Sequence, residues 1–537
     1  MKKLRDISSW LILGMVLLLL LLLNIFCQDN WLNSDMAAEM IFSRLLSEEH
    51  QLFASPNWYY STEFRVLYTQ LCMVPLFSLF KSWHVIRCIT NLIFYALLLF
   101  SYFYFMRPFQ VSRKITVLSS CLLLLPFSEM MLTHMQIGNT YMSHVILIFL
   151  CSGMFLRLSA KGKLRLSDLG LFLLYSLLSL ICGLSGVRYL LALQCPLVIT
   201  AFVYLLKSDS FVPFRKAPSK DNFTALRKSN ALSPLLWSIY GAFVSVLGYG
   251  INVFWITEKY VFQTYDSTNF ISIEDGYSLG GRIQSAFGSL MLLLGYIPDR
   301  GFLSLRGLVS LSAFALLGIF CFVGCKMKKG KEKKGFRPFF TLFLLISLMV
   351  NLFVFFFTSC TMVPRYFITI YIFVLPVLCF YFESREPVFD RCFVALLLGG
   401  CLLLGTAKTV YSFASVDKNA IKRPVAQFLE ENNYTFGFAT YENANIITEL
   451  TDGAVEIGNI TDLESLNFFK WSSPAKYYEE GYHTGETFLL LTTTEYADYA
   501  ETKAVTGGQE VYRDDHFVVL SYESTAALMG FISKPEI

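Results

Sequence analysis

The sequence predicts a polytopic α-helical membrane protein of about eleven transmembrane helices, followed by a small C-terminal α/β domain. Three observations predict this class. The 537 residues are 55% hydrophobic and only 16% charged, and their mean hydropathy is +0.52, well above that of a soluble globular protein. The apolar runs are long enough to cross a hydrocarbon layer of about 30 Å. From about Val416 onward there is no such run and acidic residues outnumber basic ones. The net charge of +4 therefore conceals a markedly basic membrane portion.

The first span runs from about Trp10 to Phe26, and Lys2, Lys3 and Arg5 hold its start in the cytoplasm. No small-residue cleavage site follows LILGMVLLLLLLLNIFC, so an uncleaved span is expected rather than a signal peptide. The first loop, 28–84, is then outside the cytoplasm. The second span, near Val85–Met106, returns to Arg107, Arg113 and Lys114. A hairpin of about Ile115–Met131 and Ile137–Phe155 follows, with a short outer turn around Glu129–Asn139 and an inner loop holding Arg157, Lys161, Lys163 and Arg165. The fifth and sixth spans flank the outer turn CGLSGVRY and lead to a basic loop containing Lys207, Arg215, Lys216, Lys220, Arg227 and Lys228. All of this obeys the positive-inside rule.

The seventh span, about Leu235–Trp255, opens a second long outer loop, 257–307. Inside it the apolar piece SAFGSLMLLLGYIP is short for a span. Counting it as one would also place the lysine cluster CKMKKGKEKKGFR outside, so it is expected to be interfacial or re-entrant. Spans at about Leu308–Cys325, Pro338–Phe357, Tyr366–Phe382 and Cys392–Tyr411 complete the set and put the C-terminal domain outside. The domains are thus 1–415, membrane-embedded, and 416–537, extracytoplasmic. In the latter, KRPVAQFLEENN reads as an amphipathic helix and FGFATY, TFLLLTT and HFVVLSY as alternating strands. No internal repeat is evident.

The thirteen cysteines lie almost entirely in apolar segments without metal or disulfide spacing, as small packing residues do. HExxH, GxSxG, Walker and dinucleotide glycine patterns are absent, and nothing points to nucleic acid as a partner. His134 falls in the outer turn of the hairpin, and Asp514–His516 reads as a turn between strands.

Chemistry is concentrated in the first outer loop. After Ser34, which can cap a helix, DMAAEMIFSRLLSEE reads as an amphipathic surface helix. Asp35 and Glu39, four residues apart, share one face. They suit a reactive site beside the bilayer, and equally a helix-dipole partner and a solvated neighbour. Glu63 and Arg65 open a second interfacial piece, TEFRVLYTQLCMVPLFSLFKSW, interrupted by Pro75. Arg188 and Arg365 stand at outer membrane boundaries. Either can snorkel to the interface, and either can grip a phosphate with its planar donor fork. Lys259, Asp266, Glu274, Asp275, Tyr277 and Arg282 can line a substrate cleft or simply form a mobile polar loop.

The pattern resembles the GT-C superfamily of polytopic glycosyltransferases, including its protein mannosyltransferase-like and lipid A aminoarabinose transferase-like groups. SDMAAEMIFSRLL is similar to the Asp-containing start of that family's first loop helix, with Met36 where Glu often follows the Asp. PRYFITIYIFVLP resembles its Arg-Tyr entrance to a late span, while Arg65 and Pro75 match a basic, proline-rich stretch loosely. The resemblance implies inverting sugar transfer from a polyprenyl-phosphate carrier to an extracytoplasmic acceptor. Asp35 would be the general base, and Arg365, with Arg65, would stabilise the phosphate leaving group. Glu39, Glu63, Arg188, Tyr277, Arg282 and Tyr366 complete the expected substrate-binding set. The donor, the acceptor and membrane lipids are the implied partners, and a divalent cation (Mg or Mn) is left open. Two other classes fit the architecture: a transporter or flippase of a lipid-linked substrate, and a non-catalytic envelope-assembly protein.

Overall fold

The computed structural model describes residues 2–161, 164–209, 211–216, 221, 231–263, 269–271, 278–301, 303–329, 335–461 and 467–531. Nine of the described helices are long and apolar enough to cross a membrane: Ile7–Trp31, Trp83–Phe109, Met142–Ser159, Leu166–Leu184, Ser233–Lys259, Arg306–Lys328, Phe336–Phe357, Pro364–Glu383 and Val388–Ser415. A bent pair, Arg113–Leu124 and Glu129–Ile137, makes a tenth if it is counted as one span, and the apolar helix Leu190–Leu206, shorter than those nine, lies where the sixth span is expected. The fold class is the one the sequence predicts, a polytopic helical membrane protein with a small C-terminal sheet domain.

The third span departs from its expected course. Its helix stops at Leu124, and the chain turns by 93° before Glu129. Pro126 is the reason. The residue before a proline is pushed out of the helical region, and Leu125 is extended at φ −66°, ψ 126°. Residues 279–293 form a 15-residue helix, below span length, where the interfacial or re-entrant piece is expected.

The chain divides into two compact units. The first comprises Met1–Leu22, Phe94–Phe254 and Asp266–Ser412. Within it the helix Ile368–Glu383 is buried almost throughout and packs against Arg113–Leu124, Leu305–Lys329 and Phe336–Phe357. Leu169–Leu184 lies close against Ser233–Ile251. At Gly183 or Gly248 a Cβ would collide with the other helix's backbone, the small-residue contact by which helices associate in lipid.

The second unit comprises Leu23–Ile93, Trp255–Tyr265 and Phe413–Ile537. Its strands are β1 (Trp58–Tyr59), β2 (Phe436–Thr440), β3 (Glu456–Ile460), β4 (Ser473–Pro474), β5 (Thr487–Thr492), β6 (Gln509–Arg513) and β7 (Phe517–Tyr522). The main sheet has the order β3-β2-β5-β7-β6; β3, β2 and β5 run parallel, and β5, β7 and β6 antiparallel. The expected alternation of buried and exposed residues is not observed in β2, β5 and β7. Phe438, Leu489 and Leu520 enter one core and Ala439, Leu490 and Val519 another, so both sheet faces are covered. Asp514 caps the hairpin between β6 and β7, accepting from the backbone N–H groups of His516 and Phe517, both at 2.7 Å. β1, from the first loop, pairs antiparallel with β4, so the first loop and the C-terminal sheet belong to one unit.

Candidate active site

The first-loop helix spans Ser34–Glu48, close to its expected limits. Its cap is Asn33 rather than Ser34: the Asn33 side chain accepts from the Met36 N–H at 2.9 Å. Ser34 is freed to donate to Glu442 at 3.0 Å. Asp35 and Glu39 sit one turn apart, as their spacing requires, but their surroundings differ.

Asp35 is exposed. Its Oδ1 accepts a 2.9 Å hydrogen bond from the Tyr441 hydroxyl, and Oδ2 has no partner among the described residues. Glu39 is largely withdrawn from solvent, and its carboxylate is taken up by three donors. Arg65 reaches Oε1 at 3.1 Å, Thr69 reaches Oε2 at 3.2 Å, and the Tyr68 hydroxyl also donates to Oε1. The Arg65 guanidinium lies over the Tyr68 ring, 4.5 Å from its centroid. Burial pushes the Glu39 carboxyl up to about 7, against the opposing pull of Arg65, Tyr68 and Arg87 and with help from the Asp35 charge. Burial also works against the charge on Arg65, but Tyr68, Glu39 and Glu63 outweigh it, so Arg65 holds its proton more tightly than usual. Glu63 is half-buried and acts on this cluster through its charge. The structure thus brings Asp35, Glu39, Glu63 and Arg65 together.

In the membrane-helix unit, Arg188 donates to Nε2 of His144 at 3.0 Å, and the other ring nitrogen, Nδ1, meets the Tyr189 hydroxyl at 3.0 Å. Because guanidinium only donates, Nε2 is the accepting nitrogen and Nδ1 carries the proton. The Arg188 guanidinium also lies 5.1 Å from the ring centroid of Tyr141 and 5.9 Å from that of Tyr366. Tyr366 stacks on Phe355 at 5.5 Å. Arg365, the next residue back, is the second residue of the turn Pro364–Phe367; it is half-buried, and its guanidinium has no hydrogen-bond or ion-pair partner among the described residues. Arg282 donates to the Thr358 carbonyl, which ties it to the chain just before Arg365, and its helix packs against the Pro364–Phe367 turn. Lys259 belongs to the other unit, with the first loop, where it lies near its neighbour Tyr260, 5.5 Å from the ring centroid. Tyr277, with Asp266, Glu274 and Asp275, lies outside the described residues.

No family model and no curated protein matches this chain. Among solved structures it is similar to ArnT from Cupriavidus metallidurans bound to undecaprenyl phosphate. The identity is 13% over 95% of this chain and 97% of that one, with a TM-score of 0.47.

Sequence reasoning missed several participants. Tyr68 and Thr69 follow Arg65 by three and four residues, within reach of the same carboxylate. Arg87 lies one turn into a span, and an arginine so placed signals a buried partner. That partner is Glu449, and the same guanidinium donates to the Met36 carbonyl at 2.9 Å. His144 carried no signal beyond being one of six histidines. No local pattern pairs Tyr441 with Asp35, 406 residues away. Among the described residues no group of three or more His, Cys, Asp or Glu side chains is arranged to hold a metal ion.

Proposed function

We propose that this protein transfers a sugar from a polyprenyl-phosphate carrier to an extracytoplasmic acceptor, with inversion, and that Asp35 is the general base. One observation carries this reading: of Asp35 and Glu39, the two carboxylates that share a face at the start of the first-loop helix, only Asp35 is exposed and keeps an oxygen without a partner among the described residues. A base must reach the proton it removes, and Oδ2 of Asp35 meets that condition where Glu39 does not.

In the proposed step the acceptor hydroxyl gives its proton to Oδ2 while its oxygen bonds to the anomeric carbon. The bond between that carbon and the phosphate oxygen breaks, and its electron pair leaves with the polyprenyl phosphate. Arg365, half-buried and without a counter-charge among the described residues, suits the leaving phosphate as a bidentate donor. Tyr366, next to it in sequence, contributes an aromatic wall, and Arg188, 5.9 Å from the Tyr366 ring centroid, contributes a second cation. Arg65 is already committed to Glu39, so its role is to shape the Asp35 surroundings rather than to bind phosphate. The basic inner loops support a cytoplasmic N-terminus and an extracytoplasmic C-terminal domain, the side on which carrier-linked sugars would be used.

The test is sugar transfer by the purified full-length protein in lipid nanodiscs, supplied with polyprenyl-phosphate sugars and an acceptor panel. Wild type is expected to form the inverted product, and Asp35→Asn to lose at least about a hundredfold of that rate with unchanged thermal stability. Donor binding without transfer by wild type, across the panel, would replace this reading with a flippase or an assembly protein.

A further inference from the structure

The helix Tyr441–Leu450 of the C-terminal sheet domain packs along the first-loop helix, and its polar residues converge on Asp35. Tyr441 donates to Asp35 itself at 2.9 Å. Glu442 accepts from Ser34 at 3.0 Å, on one side of Asp35. On the other side, Glu449 binds Arg87, whose guanidinium also donates to the Met36 carbonyl at 2.9 Å. The residues before and after Asp35 are therefore both tied into the same cluster. Tyr441, Asn445 and Glu449 follow at four-residue intervals and share one helix face. Asn445 is 1% exposed, and neither of its amide atoms has a hydrogen-bond partner. The Tyr441 ring is braced edge-on against Phe469, with centroids 5.9 Å apart, and Phe469 stacks on Trp471 at 6.0 Å.

We infer that Tyr441 is a positioning residue of the Asp35 site: its hydroxyl holds Oδ1, leaving Oδ2 as the oxygen that receives the acceptor's proton. The inference rests on the proposed role of Asp35 and assigns the C-terminal domain a part in the transfer step itself. Burial and the neighbouring Asp35 charge keep the Tyr441 phenol protonated and therefore a donor. An unheld carboxylate rotates about its Cβ–Cγ bond and spends part of its time turned away from the acceptor. Holding one oxygen removes that freedom before the reaction begins. The bond is to the base rather than to the carrier lipid, so its loss falls on the chemical step and leaves donor binding intact.

Tyr441→Phe keeps the ring against Phe469 and removes only the hydroxyl. In the full-length protein, kcat is expected to fall about a hundredfold, with the donor KM within about twofold of wild type. In Asp35→Asn the second change should cost almost nothing further, because the base it positions is already gone. A second measurement does not depend on turnover. Carbodiimide-driven amine labelling of Asp35, read by peptide mass spectrometry, should rise several-fold in Tyr441→Phe as Oδ1 is released. Unchanged kcat in an active enzyme, or a loss confined to KM, overturns the positioning role. Unchanged labelling overturns the contact itself, whether or not the protein transfers sugar. If wild type is inactive on every donor while labelling still rises, the contact stands, and both the carrier-dependent reading and the positioning role built on it fail.

Discussion

Arg87 and Glu449, 362 residues apart in the chain, form a forked ion pair at 2.7–2.8 Å with side chains only 1% and 5% exposed. The guanidinium also donates to the Met36 carbonyl, so a single buried cation links the second apolar helix, the first-loop helix and the C-terminal domain. Burial pushes the Glu449 carboxyl up to about 7, opposed by Arg87. Removing one partner from a buried pair leaves an uncompensated polar group, which typically costs about 3–5 kcal/mol. Arg87→Met or Glu449→Leu alone should therefore lower the thermal midpoint of the detergent-solubilised protein sharply. The double variant should recover a substantial part of that loss, because no charge remains unpaired. A double variant worse than both singles would contradict this account of the pair.

Glu39 gives the protein a pH dependence of defined sign. Its folded carboxyl is raised to about 7 from an ordinary 4.5 by burial, so the folded protein keeps a proton that the unfolded chain has released. Its stabilising contribution is complete below pH 4.5 and is lost as pH rises through about 7. Each unit of such a shift is worth about 1.4 kcal/mol. Glu39→Gln, uncharged throughout, should flatten the decline in thermal midpoint between about pH 5 and pH 8. An equal decline in the variant would place the dependence elsewhere.

Arg365 is expected to act on the donor. Arg365→Ala should weaken carrier-phosphate binding and slow transfer by about tenfold or more. Arg365→Lys should recover only part of this, since an ammonium offers charge without the bidentate fork. Titration with a short polyprenyl phosphate checks the binding arm. Full activity in the lysine variant would show that charge alone suffices.

Gly453 tests the contact between the helix Tyr441–Leu450 and the start of the second apolar helix. Its φ is +78°, and an added Cβ would meet the Trp83 indole at 2.5 Å. The adjacent Asp452 carboxylate accepts from the Trp83 backbone N–H at 2.7 Å. Gly453→Val imposes both a disfavoured backbone and a clash, and should destabilise the protein by about 2–4 kcal/mol. A thermal midpoint within a degree or two of wild type would show that Trp83 yields easily.

Much of the fold was legible because bilayer crossing is a local property of sequence. Length and apolarity locate the spans, and the loop lysines and arginines set the expected orientation. The same local signals located the helix Arg423–Glu431 and strands β2, β5 and β7. Periodicity misjudged the strands' surroundings, because a strand covered on both faces loses the alternation that marks a half-exposed one. The proline that breaks the third span, Pro126, was visible in sequence, but apolarity on both sides concealed its effect.

By itself the sequence determined that a polytopic helical protein carries acidic residues on a first-loop helix, and that Asp35 and Glu39 share a face, because helical spacing is fixed by backbone geometry. Only the tertiary structure decided which of the two is accessible. That choice depends on Arg65, Tyr68 and Thr69 closing around Glu39 while Tyr441, 406 residues from Asp35, leaves one oxygen of Asp35 free. Burial and hydrogen bonding are properties of the folded neighbourhood, so one sequence pattern yields a saturated carboxyl at Glu39 and a poised one at Asp35.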